Sequence, residues 1–162
     1  MNIFITGNPR CGKSTLIQKI IDEISDKKIS GFITPEIRVN RIRQGFKIID
    51  LVSGKEEILA SVNIKRGPGV SRYRVNVEGI DNIMDKFLES YESSEYVIID
   101  EIGMMEFYSK KFRDMVRMIL TSNKIVILDY KIPNSKKQKL LSKIQYKKTL
   151  QFFNNLIEVL DG

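Results

Sequence analysis

Histidine and tryptophan are absent from this chain of 162 residues, cysteine occurs once and proline four times. The lack of histidine removes the commonest general base, so acid–base chemistry has to fall to carboxylates, lysine or water. A single cysteine, Cys11, excludes an internal disulfide. As a small side chain inside a loop it reads better as a space filler than as a redox switch. No apolar run comes near the ~20 residues of a membrane span. The first residues enter a strand pattern within two or three positions, which leaves no room for a signal peptide. A cytoplasmic protein without membrane contact is therefore expected.

What is present describes a globular chain. With 42% apolar and 29% charged residues it has enough for a sizeable core in one domain, residues 1–162, expected as a monomer. Lysine and arginine exceed aspartate and glutamate by 27 to 20, a net charge of +7. That balance suits a polyanionic partner such as a nucleotide or a nucleic acid. The cations are spread along the chain, however, with no arginine-rich tail and no RNA-binding signature, so nucleic acid is permitted by charge without being indicated by a motif.

The stretch Gly7, Asn8, Pro9, Arg10, Cys11, Gly12, Lys13, Ser14, Thr15 organises the rest. It follows the apolar run Ile3-Phe4-Ile5 and precedes a helical pattern, so it lies where a buried strand turns into a helix. Gly7, four residues, then Gly12-Lys13-Ser14 satisfies the P-loop spacing, in which backbone N–H groups and a helix N-terminus surround the oxygens of a polyphosphate. Lys13 is placed to reach the β- and γ-phosphates, and the Ser14 hydroxyl to join the oxygen shell of Mg²⁺.

Downstream, Leu16, Ile17, Ile20, Ile21 and Ile24 fall on one helical face, and Ile29 to Ile33 reads as a strand ending at Thr34-Pro35. Glu36 to Arg43 and Phe46 to Leu51 look like a hairpin turning at Gln44-Gly45, with Glu57 to Val62 as a third strand of the same meander. The basic, glycine-rich stretch from Lys65 to Arg74 fits either a phosphate clamp or a mobile surface loop. From Gly79 the pattern is helical, with Ile80, Ile83, Met84, Phe87, Leu88 and Tyr91 on one stripe.

Tyr96-Val97-Ile98-Ile99 is then a strand covered on both faces, and it finishes in Asp100-Glu101. An apolar strand ending in an acid, downstream of a P-loop, is the Walker B arrangement: Asp100 is the candidate metal support and Glu101 the candidate base for an attacking water. Glu106 lies on the same loop, ahead of an amphipathic helix carrying Phe112, Met115, Val116, Ile119 and Leu120. Ile125 to Leu128 is a further buried strand ending in Asp129, where many P-loop enzymes set a polar residue that senses the γ-phosphate. Glu106, Asp129 and Thr34 are candidates to order the site from behind Lys13, Ser14, Asp100 and Glu101. Lys136 to Lys143 and the run with Leu150, Phe153, Ile157 and Leu160 read as two closing helices.

The P-loop, Gly31-Phe32-Ile33-Thr34 with Glu36 and Arg38, Gly45-Phe46-Lys47-Ile48, Tyr73 to Val77, and above all Asp100-Glu101-Ile102-Gly103-Met104-Met105-Glu106 together carry a resemblance. The chain resembles the small P-loop nucleoside-triphosphatases of thermophilic bacteria and archaea, a family with a human member called cancer-related nucleoside-triphosphatase. The resemblance covers roughly the first 130 residues. It implies an α/β, three-layer, RecA-like fold with a mostly parallel central sheet, the meander forming an antiparallel insertion, and the P-loop strand separated from the Walker B strand by one other. It also implies slow, Mg²⁺-dependent hydrolysis of several nucleoside triphosphates, with Lys13 and Ser14 on phosphate and metal, Asp100 on the metal and Glu101 as base. Asp129 departs from the family pattern, which has a small or hydroxyl-bearing residue at that strand end.

Two other readings share the P-loop. A small-molecule kinase could close Lys65, Arg66, Arg72 and Arg74 over its substrate, but no acceptor motif is visible; a nucleotide-dependent adaptor with low turnover would suit the positive charge. A GTPase would need an [NT]-K-x-D sequence, and Asn123-Lys124 is followed by Ile125-Val126 instead.

Overall fold

The computed structural model describes residues 1–5 and 11–130. Gly7 to Arg10 of the P-loop and the two closing helices expected after Lys136 lie outside the described residues. The strands are β1 (Asn2–Ile5), β2 (Ile29–Ile33), β3 (Glu36–Val39), β4 (Ile42–Asp50), β5 (Glu56–Ser61), β6 (Gly69–Val70), β7 (Tyr73–Val75), β8 (Tyr96–Ile102) and β9 (Ile125–Tyr130). Three α-helices are described: α1 (Lys13–Glu23), α2 (Val77–Tyr91) and α3 (Lys110–Leu120). None of the described helices is long and apolar enough to cross a membrane.

One sheet holds all the described strands, in the order β1-β9-β8-β2-β4-β5-β7-β6, with β3 paired to β4. The first four are parallel, β9 lying between β1 and β8 as expected for the P-loop and Walker B strands. From β2 onward every pairing is antiparallel. The meander is thus no separate insertion: β4 pairs with the open edge of β2, setting Asp50 opposite Phe32, and the sheet is mixed rather than mostly parallel. The physical reason is that β2 would otherwise expose a row of unpaired backbone groups beside the core.

Alternation along the strands separates two faces. Val97, Ile99, Val126 and Leu128 share a cluster with Ile80, Ile83, Met84 and Phe87 of α2 and Phe112, Val116 and Ile119 of α3. Ile98 and Ile127 alternate to the other face, where α1 runs against β8 and buries Ile17. Each large apolar side chain so buried contributes about 1.5–3 kcal/mol. Asn76 caps α2 by accepting from the Gly79 N–H at 3.1 Å, and Ser109 caps α3 by accepting from the Phe112 N–H at 3.0 Å. Three residues expected to be buried are exposed, Ile3 in β1 and Leu16 and Leu88 in the helices. At about 100° per residue Leu16 stands about 100° from Ile17, and Leu88 about 80° from Ile80, at the flank of each stripe.

The hairpin turns at Asn40-Arg41, not at Gln44-Gly45. Both turn residues have positive φ, 49° and 65°, which matches the twist of a two-residue hairpin. Gly45 serves a different need inside β4, because a Cβ there would come within 2.3 Å of the Ala60 carbonyl oxygen. The basic stretch is in part built into the sheet: β6 and β7 form a small hairpin at its far edge. Arg72 and Arg43 both donate to the Tyr73 hydroxyl, at 3.2 Å each, and Arg72 also donates to the Arg43 carbonyl. Six strand spacings separate β7 from β1, roughly 29 Å.

Candidate functional site

The parallel strands β1, β9 and β8 bring their carboxyl ends side by side, and the site is assembled there. Ile5 is in register with Asp129, and Ile99, the residue before Asp100, with Leu128. Beyond Ile99 the β8–β9 register slips by one residue, so that Ile102 pairs with Tyr130. The extra residue in β8 is a bulge, and within it Glu101 takes φ 70°, the left-handed region that side chains other than glycine rarely occupy. This breaks the strict alternation of the strand and lets Asp100 and Glu101 serve different directions. Glutamate in that conformation costs about 1–2 kcal/mol.

Opposite this strand end, α1 begins at Lys13. Gly12 has φ 93° and precedes the helix without a side-chain cap, so the first-turn N–H groups have no partner on a capping side chain. A Cβ at Gly12 would meet nothing within 4 Å, which makes its backbone angle, and not crowding, the reason for glycine. The Ser14 hydroxyl donates to Asp100 Oδ1 at 3.2 Å. The Lys13 ammonium lies 3.7 Å from Asp129 Oδ2. Burial raises the Asp100 carboxyl above its ordinary value; the Ser14 hydroxyl pulls it back, Glu101 pushes it up and Lys13 draws it down. Burial likewise pushes Asp129 up to about 6, against the pull of Lys13 and with the push of Glu101 and Asp100.

Two further contacts hold the rim. Thr34, just past β2, donates to the Asp100 carbonyl at 2.8 Å and fastens β2 to the strand end that carries the acids. Buried Glu106 accepts from the Gly103 N–H at 3.0 Å and closes the loop after β8. A Cβ on Gly103 would fall 3.1 Å from Glu106 Oε2 and 3.5 Å from Glu101 Oε1, so glycine lets the two carboxylates approach the same backbone segment. Farther back, Gly31 has φ 141°, and a Cβ there would sit 1.8 Å from the Ile98 carbonyl oxygen.

The structure therefore gathers Lys13, Ser14, Asp100, Glu101 and Asp129, with Thr34 and Glu106 bracing them. Cys11 and Thr15 are exposed at the loop and the first turn of α1, and Gly7, Asn8, Pro9 and Arg10 are outside the described residues. Lys65, Arg66, Arg72 and Arg74 are not brought to this end. The role of Gly31 and the pairing of Lys13 with Asp129 were not read from the sequence. A glycine inside a short strand flanked by isoleucines and a phenylalanine was the available signal for the first.

A family model described as NTPase matches residues 2–158. The nucleoside-triphosphatase THEP1 of Korarchaeum cryptofilum (strain OPF8) is 41% identical over 126 residues, covering 76% of this chain and 65% of that protein, just under two thirds of its length. The crystal structure of THEP1 from the hyperthermophile Aquifex aeolicus superposes with a TM-score of 0.70 at 32% identity, over 100% of both chains. The solution structure of a human cancer-related nucleoside triphosphatase shares the fold, with a TM-score of 0.64 at 22% identity over 98% of this chain and 96% of that one. Matched by the family model along nearly its whole length, with a phosphate-loop lysine and serine facing two strand-end acids, the chain belongs to the NTPase family and has the THEP1 nucleoside-triphosphatases among its relatives.

Proposed function

We propose that this chain hydrolyses nucleoside triphosphates to diphosphates and phosphate with Mg²⁺, attacking at the γ-phosphate and selecting little among bases. The observation that carries the reading is the contact of Ser14 with Asp100, because it joins the two halves of a phosphoryl-transfer site from opposite ends of the described chain. The strand order supports a RecA-like, three-layer arrangement in a single domain, with β9 between the P-loop strand and the Walker B strand. Lys13 binds the β- and γ-phosphates. Glu101, half-exposed on the bulge, polarises the water that attacks phosphorus.

Ser14 and Asp100 would hold the Mg²⁺. A buried carboxylate beside a hydroxyl offers two hard oxygens, which fits a cation that takes few protein ligands and leaves the rest of its shell to phosphate and water. When bound, the metal supplies charge neutralisation on the phosphate oxygens. The kinase reading loses support here, since its four lid cations sit on or beside the remote β6–β7 hairpin.

The test is phosphate release from ATP, GTP, CTP and UTP by the natural protein and by Glu101→Gln. Release from all four, reduced about 10²- to 10⁴-fold in the variant while nucleotide binding persists, is expected. Unchanged turnover in Glu101→Gln would refute the assigned base. Tight binding without release by the natural protein would favour the adaptor.

A further inference from the structure

Asp129 is the acid of this site that the proposed reaction leaves without a task. Its side chain is 2% exposed, one oxygen faces Lys13, and the other, Oδ1, is buried without a hydrogen-bond partner among the described residues. An orphaned carboxylate oxygen in a buried position is costly unless something arrives to meet it. The position says what arrives: β9 lies between the strand that leads into the phosphate loop and the strand that ends in Asp100, in register with Ile5 on one side.

Charge decides the form in which Asp129 meets a ligand there. Among the described residues, the charged groups that act on it are Lys13 from α1 and Asp100 and Glu101 from β8, while β1 sets apolar Ile5 opposite it. Three carboxylates thus crowd this strand end, and a Mg²⁺–triphosphate brings two more negative charges while taking Lys13 for its own oxygens. Crowding of negative charge around a buried carboxylate is relieved by neutralising it, and Asp129 is the most buried of the three. Asp100 has the Ser14 hydroxyl, and Glu101 is partly exposed; among the described residues Asp129 has neither kind of relief.

We propose that Asp129 faces the γ-phosphate and receives the triphosphate as a neutral carboxylic acid, taking one proton from solvent as substrate binds and donating it as a hydrogen bond to a γ-phosphate oxygen. The inference rests on the nucleoside-triphosphatase reading above. Before binding, Asp129 is the counterion of Lys13. Binding releases the lysine to the phosphates, and departure of the products returns the proton to solvent and restores the pair. A diphosphate has no γ-phosphate to meet Asp129, so the device distinguishes substrate from product.

The experiment is calorimetric titration of the natural protein and of Asp129→Asn with the slowly hydrolysed analogue adenosine 5′-O-(3-thiotriphosphate), and with ADP, both with Mg²⁺. Titrations run from about pH 6.5 to about pH 8 in buffers of different ionisation enthalpy. For the natural protein, uptake approaching one proton per bound triphosphate is expected, with affinity falling toward about 10-fold per pH unit and a smaller effect for ADP. Asp129→Asn, a neutral isostere, is expected to bind the triphosphate without proton uptake, with little pH dependence, and more tightly than the parent at about pH 8. A purely structural role would not move the proton count. Binding and turnover without proton uptake in the natural protein, or uptake that survives in a folded Asp129→Asn, overturns this inference alone. Failure of the natural protein to bind the analogue at any pH overturns the triphosphatase reading as well. Asp129→Ser, which removes the acid but keeps a hydroxyl, serves if the asparagine variant does not fold, and it too must lose the uptake.

Discussion

The Ser14 hydroxyl donates to Asp100 Oδ1 at 3.2 Å across 86 residues of chain, so the first turn of α1 and the acidic end of β8 are in contact. That bond keeps a buried carboxylate aimed at the start of α1. It also partly offsets the burial that raises the pKa of Asp100.

Ser14→Ala removes the donor and one candidate metal oxygen together. Triphosphate affinity in Mg²⁺ is expected to fall about 10- to 100-fold, the equivalent of losing a hydrogen bond to a charged group. In EDTA the variant and the natural protein are expected to bind alike. Equal losses with and without Mg²⁺ would show that Ser14 acts on phosphate alone.

The bulge at Glu101 separates activity from stability. Glu101→Ala and Glu101→Gly both discard the carboxylate and are expected to be equally inactive, yet only glycine is at ease at φ 70°. The glycine variant is expected to be about 1 kcal/mol more stable than the alanine variant, a difference of roughly 2–4 °C in Tm. Thermal unfolding of the pair measures this, and an alanine variant as stable as the glycine variant would mean that the backbone there is unstrained.

Gly31→Ala tests how closely β2 and β8 must approach. Its Cβ would penetrate to 1.8 Å from the Ile98 carbonyl oxygen in a backbone conformation with φ 141°. A loss on the order of 3 kcal/mol is expected from overpacking and backbone strain combined. Because Thr34 ties the same strand to Asp100, turnover should fall in whatever fraction remains folded. Urea unfolding with a parallel activity assay reads both, and a variant of natural stability would refute the packing argument.

Asp129 makes stability depend on pH in the direction opposite to most salt-bridged acids. Its carboxyl titrates at about 6 against an ordinary 3.8, so the folded state holds the proton over a window in which the unfolded chain has released it. Its contribution to stability is therefore greatest below about pH 4, declines as pH rises toward about 6, and stays lower above it, by at most about 3 kcal/mol. Asp129→Asn is expected to abolish this decline: it should be more stable than the parent near pH 7.5 and equal to it near pH 3.5. Parallel pH profiles for the two proteins would exclude Asp129 as the source.

Much of the fold follows from local patterns. The stripe of Ile80, Ile83, Met84, Phe87 and Tyr91 is a helix whatever it packs on, and Tyr96 to Ile99 is a covered strand for the same kind of reason. Gly45 shows where such reading fails. Glycine in a strand pattern signals either a turn or a close approach, and only the position of Ala60 decides between them. Turn chemistry at Asn40-Arg41 was weaker evidence than the glycine nearby, because arginine is an uncommon occupant of positive φ.

By itself, the sequence determined the pattern: a P-loop spacing after the first strand and paired acids at the end of a buried one, since spacing along the chain is enough to place a lysine, a hydroxyl and a carboxylate on strand and helix ends. The tertiary structure decided which of those ends meet. Strand order set β9 between β1 and β8 and so brought Asp129 to Lys13, while the same order carried Arg72 and Arg74 to the far edge. A period-two pattern records which residues face a core but not which strand lies beside which, because neighbouring strands are chosen by backbone pairing and burial across the whole chain.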